Sequence, residues 1–386
     1  MTLGNIYLSD FVAIKKKPPK YPLSLVLCRK CTLVQLKHTT PSSLLYNDHY
    51  GYRSGINQTM KNELREIAEK ALTKINSKKV LLAVDIGAND GTLLKFYPKS
   101  VKRVGVEPIN KLAKECKNNA DIVINNFFNY EIYKEKIGTK KADIITAISC
   151  FYDMQDPNQF VADVKKILDE NGIFIVQQNY LIKMLTQNAF DNVVHEHLEY
   201  YSLTAMQNLL KRHDLEIFDL ELRDLNGGSI RTYISHKNNR RISNSVYEQT
   251  ELENMIGLNR KSIYSDFARR IKMNKKNIYN FIKSKVNQGK TVYLYGASTR
   301  GNTLLQYFDL DNHLISKAVE RNSEKWGKII ASTDIPIISE EQARKEKPDY
   351  MLVLPWFFKD EFLEREKEYL KSGGHFIFPL PNIEIV

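Results

Sequence analysis

From residue 80 the chain reads Val80-Leu-Leu-Ala-Val-Asp85-Ile86-Gly87-Ala-Asn89-Asp90-Gly91-Thr-Leu-Leu94, an apolar run that stops at a glycine-rich turn and passes into helix-compatible sequence. A strand with hydrophobic residues on both faces is stable only where helices cover both sides of its sheet, which means a parallel α/β arrangement. Further apolar runs at Val101–Val106, Ile122–Ile124, Ile144–Ile148 and Ile173–Val176 are separated by helix-length segments. Their alternation predicts a doubly wound sheet. Glu216–Leu220 and Ile230–Ser235, joined through Asn226-Gly-Gly228, are expected to close it as a hairpin-like pair.

The same alternation restarts at Thr291–Tyr295 and continues through Ile315–Glu320, Tyr350–Leu354 and His375–Phe378, predicting a second Rossmann-like α/β domain. Between the two, Ile263, Phe267, Ile271 and Ile278 recur at helical spacing in a polar, basic stretch. Leu64, Ile67, Ala68, Ala71 and Leu72 do so ahead of the first sheet. The expected organisation is a separate-looking N-terminal head and helix over 1–75, a cofactor-binding α/β domain over 76–235, a helical connector over 236–288 and a C-terminal α/β domain over 289–386. A chain of 386 residues with 42% hydrophobic residues can bury cores for all of these.

No stretch approaches the ~20 apolar residues needed to cross a bilayer, and the N-terminus shows no apolar core behind a basic start. Together with only four cysteines, Cys28, Cys31, Cys116 and Cys150, this favours a cytoplasmic protein with reduced thiols, a monomer or dimer. The net charge of +12 is spread over Lys15–Lys17, Arg240–Arg241, Arg269–Lys276 and Lys283–Lys290. It reads as a general basic surface, and no interleaved basic and aromatic motif points to nucleic acid.

The turn after the first strand carries the clearest chemistry. Gly87 permits a tight turn and close backbone approach to a ligand, and Glu107 ends the next strand, 107 − 87 = 20 residues later. An acid there can accept hydrogen bonds from both ribose hydroxyls of an adenosyl group. The loop reads Gly-x-Asn-x-Gly over Gly87, Asn89 and Gly91, without the second glycine that admits a pyrophosphate. S-adenosylmethionine (SAM) therefore fits better than a dinucleotide. Asp85 could hold its amino group, and Asn126 or Phe127 could flank adenine. An unliganded glycine turn and a nicotinamide-dependent oxidoreductase are the competing readings.

Five strings in order carry a family resemblance: Tyr21-Pro22-Leu23 with Leu27-Cys28 to Leu36, Asp85 to Leu94, His195-Glu196-His197, Gly227-Gly228-Ser229-Ile230-Arg231, and Tyr295-Gly296-Ala297 to Leu305. Over nearly the whole chain the sequence resembles the three-part, SAM-dependent sugar C-methyltransferases that act on nucleotide-activated deoxysugars. The resemblance implies a class I, Rossmann-like methyltransferase domain, SAM in the middle domain, and a nucleotide-diphosphate sugar between the middle and C-terminal domains. His197 matches the family's base, with Glu196 assisting. His195 is part of the same string, and a structural or metal-binding role for these histidines remains open.

Two positions depart from the family pattern. Asp153 stands where relatives have a histidine after the fourth strand, and Val194 where they have a tyrosine before His-Glu-His. Both missing groups could stabilise an enolate, so their loss favours O-methylation of a sugar hydroxyl, with C-methylation of a keto-deoxysugar as the alternative. Tyr50 and Tyr52 match a segment covering the active site, either as hydrogen-bond donors or as packing under a lid. In the C-terminal domain Ser298, Arg300 and Asn302, at a strand-to-helix turn, and Glu320, at the end of the next strand, are the expected sugar-nucleotide contacts. A vestigial second Rossmann-like site is the competing reading. Cys28-x-x-Cys31 is half of a four-cysteine zinc site, and relatives carry an earlier pair; without it no metal is expected.

Overall fold

The structure is a computed structural model and describes residues 1–46, 52–75 and 81–386. Tyr50, and Val80 at the start of the first expected strand, lie outside the described residues.

The middle sheet contains β1 (Leu82–Ile86), β2 (Lys102–Val106), β3 (Ile122–Ile124), β4 (Ala142–Ile148), β5 (Leu168–Asn179), β6 (Leu215–Arg223) and β7 (Ser229–His236). Their spatial order is β3-β2-β1-β4-β5-β7-β6. The first five run parallel, and β7 is antiparallel to both β5 and β6. β1 is buried at every position, as its unbroken apolar run requires. Strand order reverses between β1 and β4, so a crevice opens at their carboxyl ends, where ligands bind in such sheets. The helix grouped with the head, Gln58–Lys74, packs Leu64, Ile67, Ala68 and Ala71 against this sheet. Burying each large aliphatic side chain contributes about 1.5–3 kcal/mol.

That helix is also tied down electrostatically. Arg231, completely buried on β7, donates to Glu63 at 2.7 Å and to Gln177 on β5 at 2.7 Å. Arg223 on β6 spans Glu63 and Glu66. A buried arginine is tolerable because carboxylates meet it on several sides.

The C-terminal sheet has β8 (Val292–Tyr295), β9 (Lys317–Glu320), β10 (Ile335–Ser339), β11 (Tyr350–Val353) and β12 (His375–Phe378), all parallel in the order β12-β11-β8-β9-β10. β10 was not expected from sequence. The connector is two helices, Asn244–Ile256 and Lys261–Asn287, broken where Gly257 adopts φ +72°. Phe267, Ile271, Ile278 and Ile282 form the buried stripe of the second helix.

The head is not the separate unit expected from sequence. Its strands Thr2–Tyr7, Lys20–Leu27 and Val34–Leu36 form an antiparallel sheet whose fourth strand is Glu199–Tyr200 of the middle domain. Phe11–Val12 pairs with Ile329–Ile330, adding a head strand to the edge of the C-terminal sheet. Short exposed strand edges are satisfied by neighbouring chain, which weaves the three parts together.

Candidate functional site

The turn after β1 is built on left-handed backbone. Gly87 (φ +71°), Asn89 (φ +52°) and Gly91 (φ +78°) all occupy that region. A Cβ on Gly87 would lie 2.9 Å from the Sγ of Cys150, so glycine is required by both conformation and space. Glu107 is buried, and its carboxylate accepts hydrogen bonds from the backbone N–H groups of Asn89 and Ile109, each at 2.9 Å. Burial nevertheless raises its pKa. Asp85 is equally buried, accepts a 2.6 Å hydrogen bond from the Thr146 hydroxyl, and has its pKa pushed up to about 7, mainly by burial.

Among the described residues neither carboxylate has a basic partner. Two buried acids at the crevice of a glycine turn suit a ligand that brings an ammonium group and a ribose diol. Phe127, just after β3, leaves about half of its surface exposed, edge-on to Tyr46, and Asn126 is also exposed. A large exposed aromatic ring is what a ligand's planar base could cover. These residues fit SAM.

Asn89 has a further role that its sequence position did not reveal. Its side chain accepts from the Ser54 N–H at 3.0 Å and donates to the Tyr52 carbonyl, while Asp90 accepts from the Gly55 N–H at 2.7 Å. The Tyr52–Gly55 segment is thereby fastened over the turn. Arg53 in the same segment pairs with Glu115 and with Glu324 of the C-terminal domain. Tyr52 itself remains half exposed at the rim.

The His195-Glu196-His197 loop is held from three sides. His195 is buried with Nε2 against the Tyr21 carbonyl at 3.2 Å and its ring edge-on to Tyr21, so the head positions this loop. Leu198 donates its N–H to the Tyr152 carbonyl at 2.8 Å. His197 sets its Nδ1 2.9 Å from the Asn192 carbonyl, a contact that requires Nδ1 to carry the proton and leaves a lone pair on Nε2. Its ring packs on Tyr152, centroids 4.2 Å apart. Burial, then the positive charge of Arg300, lowers its pKa to about 3. The imidazole is therefore neutral at physiological pH.

Carboxyl groups around it behave oppositely. Burial raises Glu196 to about 7 and Glu199 to about 9, and it raises Asp153 well above the carboxylate range, outweighing the opposite pull of Tyr46. Val194 is buried and apolar. Cys150, three residues before Asp153, seats on Gly87, so one loop after β4 connects the cofactor turn to the His197 ring.

In the C-terminal domain the expected contacts are engaged within the protein. Ser298 Oγ caps its helix by accepting from the Gly301 N–H at 3.0 Å. Asn302 is buried with its side-chain oxygen bound by Ser332. Glu320 accepts from the backbone N–H groups of Ala297, Arg321 and Asn322. Arg300 turns back to the middle domain and grips Asp191 through Nη2 at 2.7 Å and Nε at 3.1 Å. Asp191 was missed in the sequence; its signal is a lone acid inside Ala189-Phe190-Asp191-Asn192-Val193-Val194.

Cys28 and Cys31 share a turn in which the backbone N–H groups of Cys31 and Lys30 lower the Cys28 pKa. Among the described residues no third potential ligand joins them. Nor is any described helix long and apolar enough to cross a membrane.

The chain is similar to known methyltransferases. Residues 56–220 match a family described as methyltransferase domain, and residues 224–381 match the C-methyltransferase C-terminal domain. The C-methyltransferase NovU of Streptomyces niveus is 31% identical over 370 residues, covering 95% of this chain and 88% of that protein. Among solved structures, an S-adenosylmethionine-dependent methyltransferase from Clostridium acetobutylicum aligns with a TM-score of 0.37 at 14% identity, over 48% of this chain and 94% of that one. Magnesium protoporphyrin IX methyltransferase from Synechocystis, with bound SAH, aligns with a TM-score of 0.37 at 10% identity, over 49% and 91%.

Proposed function

Because the chain belongs to the SAM-dependent C-methyltransferase family, we propose that it methylates a carbon atom of a nucleotide-linked keto-deoxysugar. The hydroxyl acceptor favoured by Asp153 and Val194 gives way to carbon, since the relative that spans nearly the whole chain is a C-methyltransferase.

The observation that carries the reading is the orientation of the His197 imidazole, fixed by the Asn192 carbonyl so that Nε2 carries the lone pair. Carbon methylation beside a keto group needs a base to remove a C–H proton, and a positioned imidazole does this without being protonated beforehand. When bound, SAM supplies an electrophilic methyl group on a sulfonium centre. Asp85 would hold its amino group and Glu107 its ribose hydroxyls, while Phe127 and Asn126 would flank adenine. Asn89 and Asp90 fasten the 52–55 segment over the turn, which limits water there. Tyr52 at the rim would face the sugar. Burial raises the pKa of both Asp153 and Glu196, and in their protonated forms they could donate hydrogen bonds without adding negative charge beside a developing enolate. The nucleotide would lie on the C-terminal domain side of His197.

The test supplies methyl-labelled SAM and GDP-, dTDP-, CDP- and UDP-linked 4-keto-6-deoxyhexoses, and locates the label by NMR. A new C–CH3 group is expected. A label on oxygen would restore the hydroxyl reading, and transfer to none of the sugars would remove sugars as the substrate class.

A further inference from the structure

Adjacent residues of the turn Phe190–Asn192 hold two groups from different domains: the Asn192 carbonyl orients His197, and the Asp191 carboxylate grips Arg300. The turn is itself fixed by Asn179, which donates to the Asn192 side chain at 2.8 Å. Asp191 is fully buried and also accepts from the Trp356 indole N–H at 3.3 Å. Arg300 completes its anchoring by donating Nη1–H to the Asn226 carbonyl at 2.9 Å, with its face on the Phe357 ring, 4.6 Å to the centroid.

This anchoring limits what Arg300 can do. The Nε/Nη2 edge is one of the two on which a guanidinium receives a phosphate or carboxylate, and Asp191 already occupies it. Of the five N–H donors of a guanidinium, three are engaged. The two that remain, one on each terminal nitrogen, are left to donate to an oxygen of a ligand. The turn that holds Arg300 through Asp191 holds the His197 ring through the next residue, Asn192, which brings the guanidinium to the side of the base. Val194 cannot supply positive charge to this cleft, and neither can Asp153.

We propose that Arg300, positioned by Asp191, is the cation that receives the acceptor's carbonyl oxygen as His197 removes the neighbouring carbon-bound proton. The inference rests on the carbon-acceptor reading above. His197 Nε2 takes the proton, the C–H electron pair becomes a ring C–C π bond, and the carbonyl π pair moves onto oxygen, where an Arg300 N–H donates. On methyl transfer the new C–C bond forms and the carbonyl is restored. The S–CH3 bond breaks with its electron pair left on sulfur, and the His197 proton passes to water. Asp191 acts through Arg300 and is a positioning residue.

The experiment follows loss of the ring C–H signal next to the carbonyl in heavy water. It uses the full chain with S-adenosylhomocysteine (SAH) and the same four 4-keto-6-deoxyhexoses. Wild type should exchange that proton. Arg300→Gln should lower the saturated exchange rate ~10²–10³-fold, as loss of an oxyanion donor does, with sugar KM and SAH affinity within about threefold. Arg300→Lys should recover part of the rate. Asp191→Asn should lose roughly tenfold, as expected when a positioned group is loosened. If Arg300→Gln raises KM and leaves the saturated rate intact, Arg300 is a phosphate contact and the proposal fails. If it changes neither, the proposal also fails. If wild type exchanges no ring proton, the carbon-acceptor reading falls first and takes this proposal with it. SAH affinity and thermal melting report whether each variant is folded, and Arg300→Lys keeps the charge should Arg300→Gln prove unstable.

Discussion

At the end of β2, Glu107 accepts hydrogen bonds from the backbone N–H groups of Asn89 and Ile109; at the end of β9, Glu320 does the same for Ala297, Arg321 and Asn322. Both acids brace the glycine turn that follows the first strand of their sheet. Their surroundings differ. Among the described residues no cation pairs with Glu107 or Asp85, and burial raises both carboxyls. Beside Glu320, the Lys325 ammonium lies 3.7 Å away and donates to the Ala297 carbonyl at 2.7 Å. The Phe11 ring covers that ammonium at 4.2 Å to its centroid, carried there by the head strand Phe11–Val12. A glycine turn with an acid twenty-odd residues on is therefore a scaffold. What decides whether it takes a cationic adenosyl ligand is whether the protein has already supplied the cation.

The largest expected effect separates the two clefts by chemistry. His197→Asn should lower turnover ~10²–10⁴-fold, the usual contribution of a general base, with SAH affinity unchanged within about twofold in a binding titration. Activity near wild type would place the base at His195, Asp153 or Tyr52 instead.

A smaller effect sharpens the electrostatic difference. Asp85, with a pKa of about 7 in the free protein, must be ionised to pair with the ligand's amino group. The folded pKa is raised, so protonation stabilises the free protein and competes with binding as pH falls through 7. SAH should bind roughly eightfold more tightly at about pH 7.5 than at pH 6, from the change in ionised fraction. Fluorescence titrations across this range should lose most of that slope in Asp85→Asn. A slope unaffected by the substitution would assign the titration to another group.

Much of this organisation was legible in the sequence because parallel strands buried on both faces announce themselves as apolar runs. β1, β2, β3 and β4 and the hairpin β6–β7 lie where those runs predict them. β10 was missed because Pro336 interrupts a short Ile-Pro-Ile-Ile run that ends in polar residues. The head misled because its strands pair with distant segments: Glu199–Tyr200 and Ile329–Ile330 show no local pattern that names Val34–Leu36 or Phe11–Val12 as partners.

At the site, residue types at strand ends were informative, whereas roles set by long-range contacts were not. Asn89 reads as a ligand contact from its place in the turn, yet its side chain is spent on the 52–55 segment. Arg300 reads as a phosphate ligand from its helix start, yet one of its two bidentate edges is taken by Asp191, 109 residues earlier in the chain. Arg231, an arginine inside an apolar strand, signals a buried ion network, but its partners Glu63 and Glu66 could be found only in three dimensions.

The central claim, that one turn admits an adenosyl ligand and the other is already filled, is tested most directly by calorimetric titration with SAH. Wild type should bind one equivalent per chain. Glu107→Ala should weaken it by about 1–3 kcal/mol through loss of a buried acceptor for the ribose hydroxyls. Glu320→Ala should leave affinity within about twofold while lowering the melting temperature. Two equivalents per chain, or a loss of affinity that follows Glu320 rather than Glu107, would contradict the account.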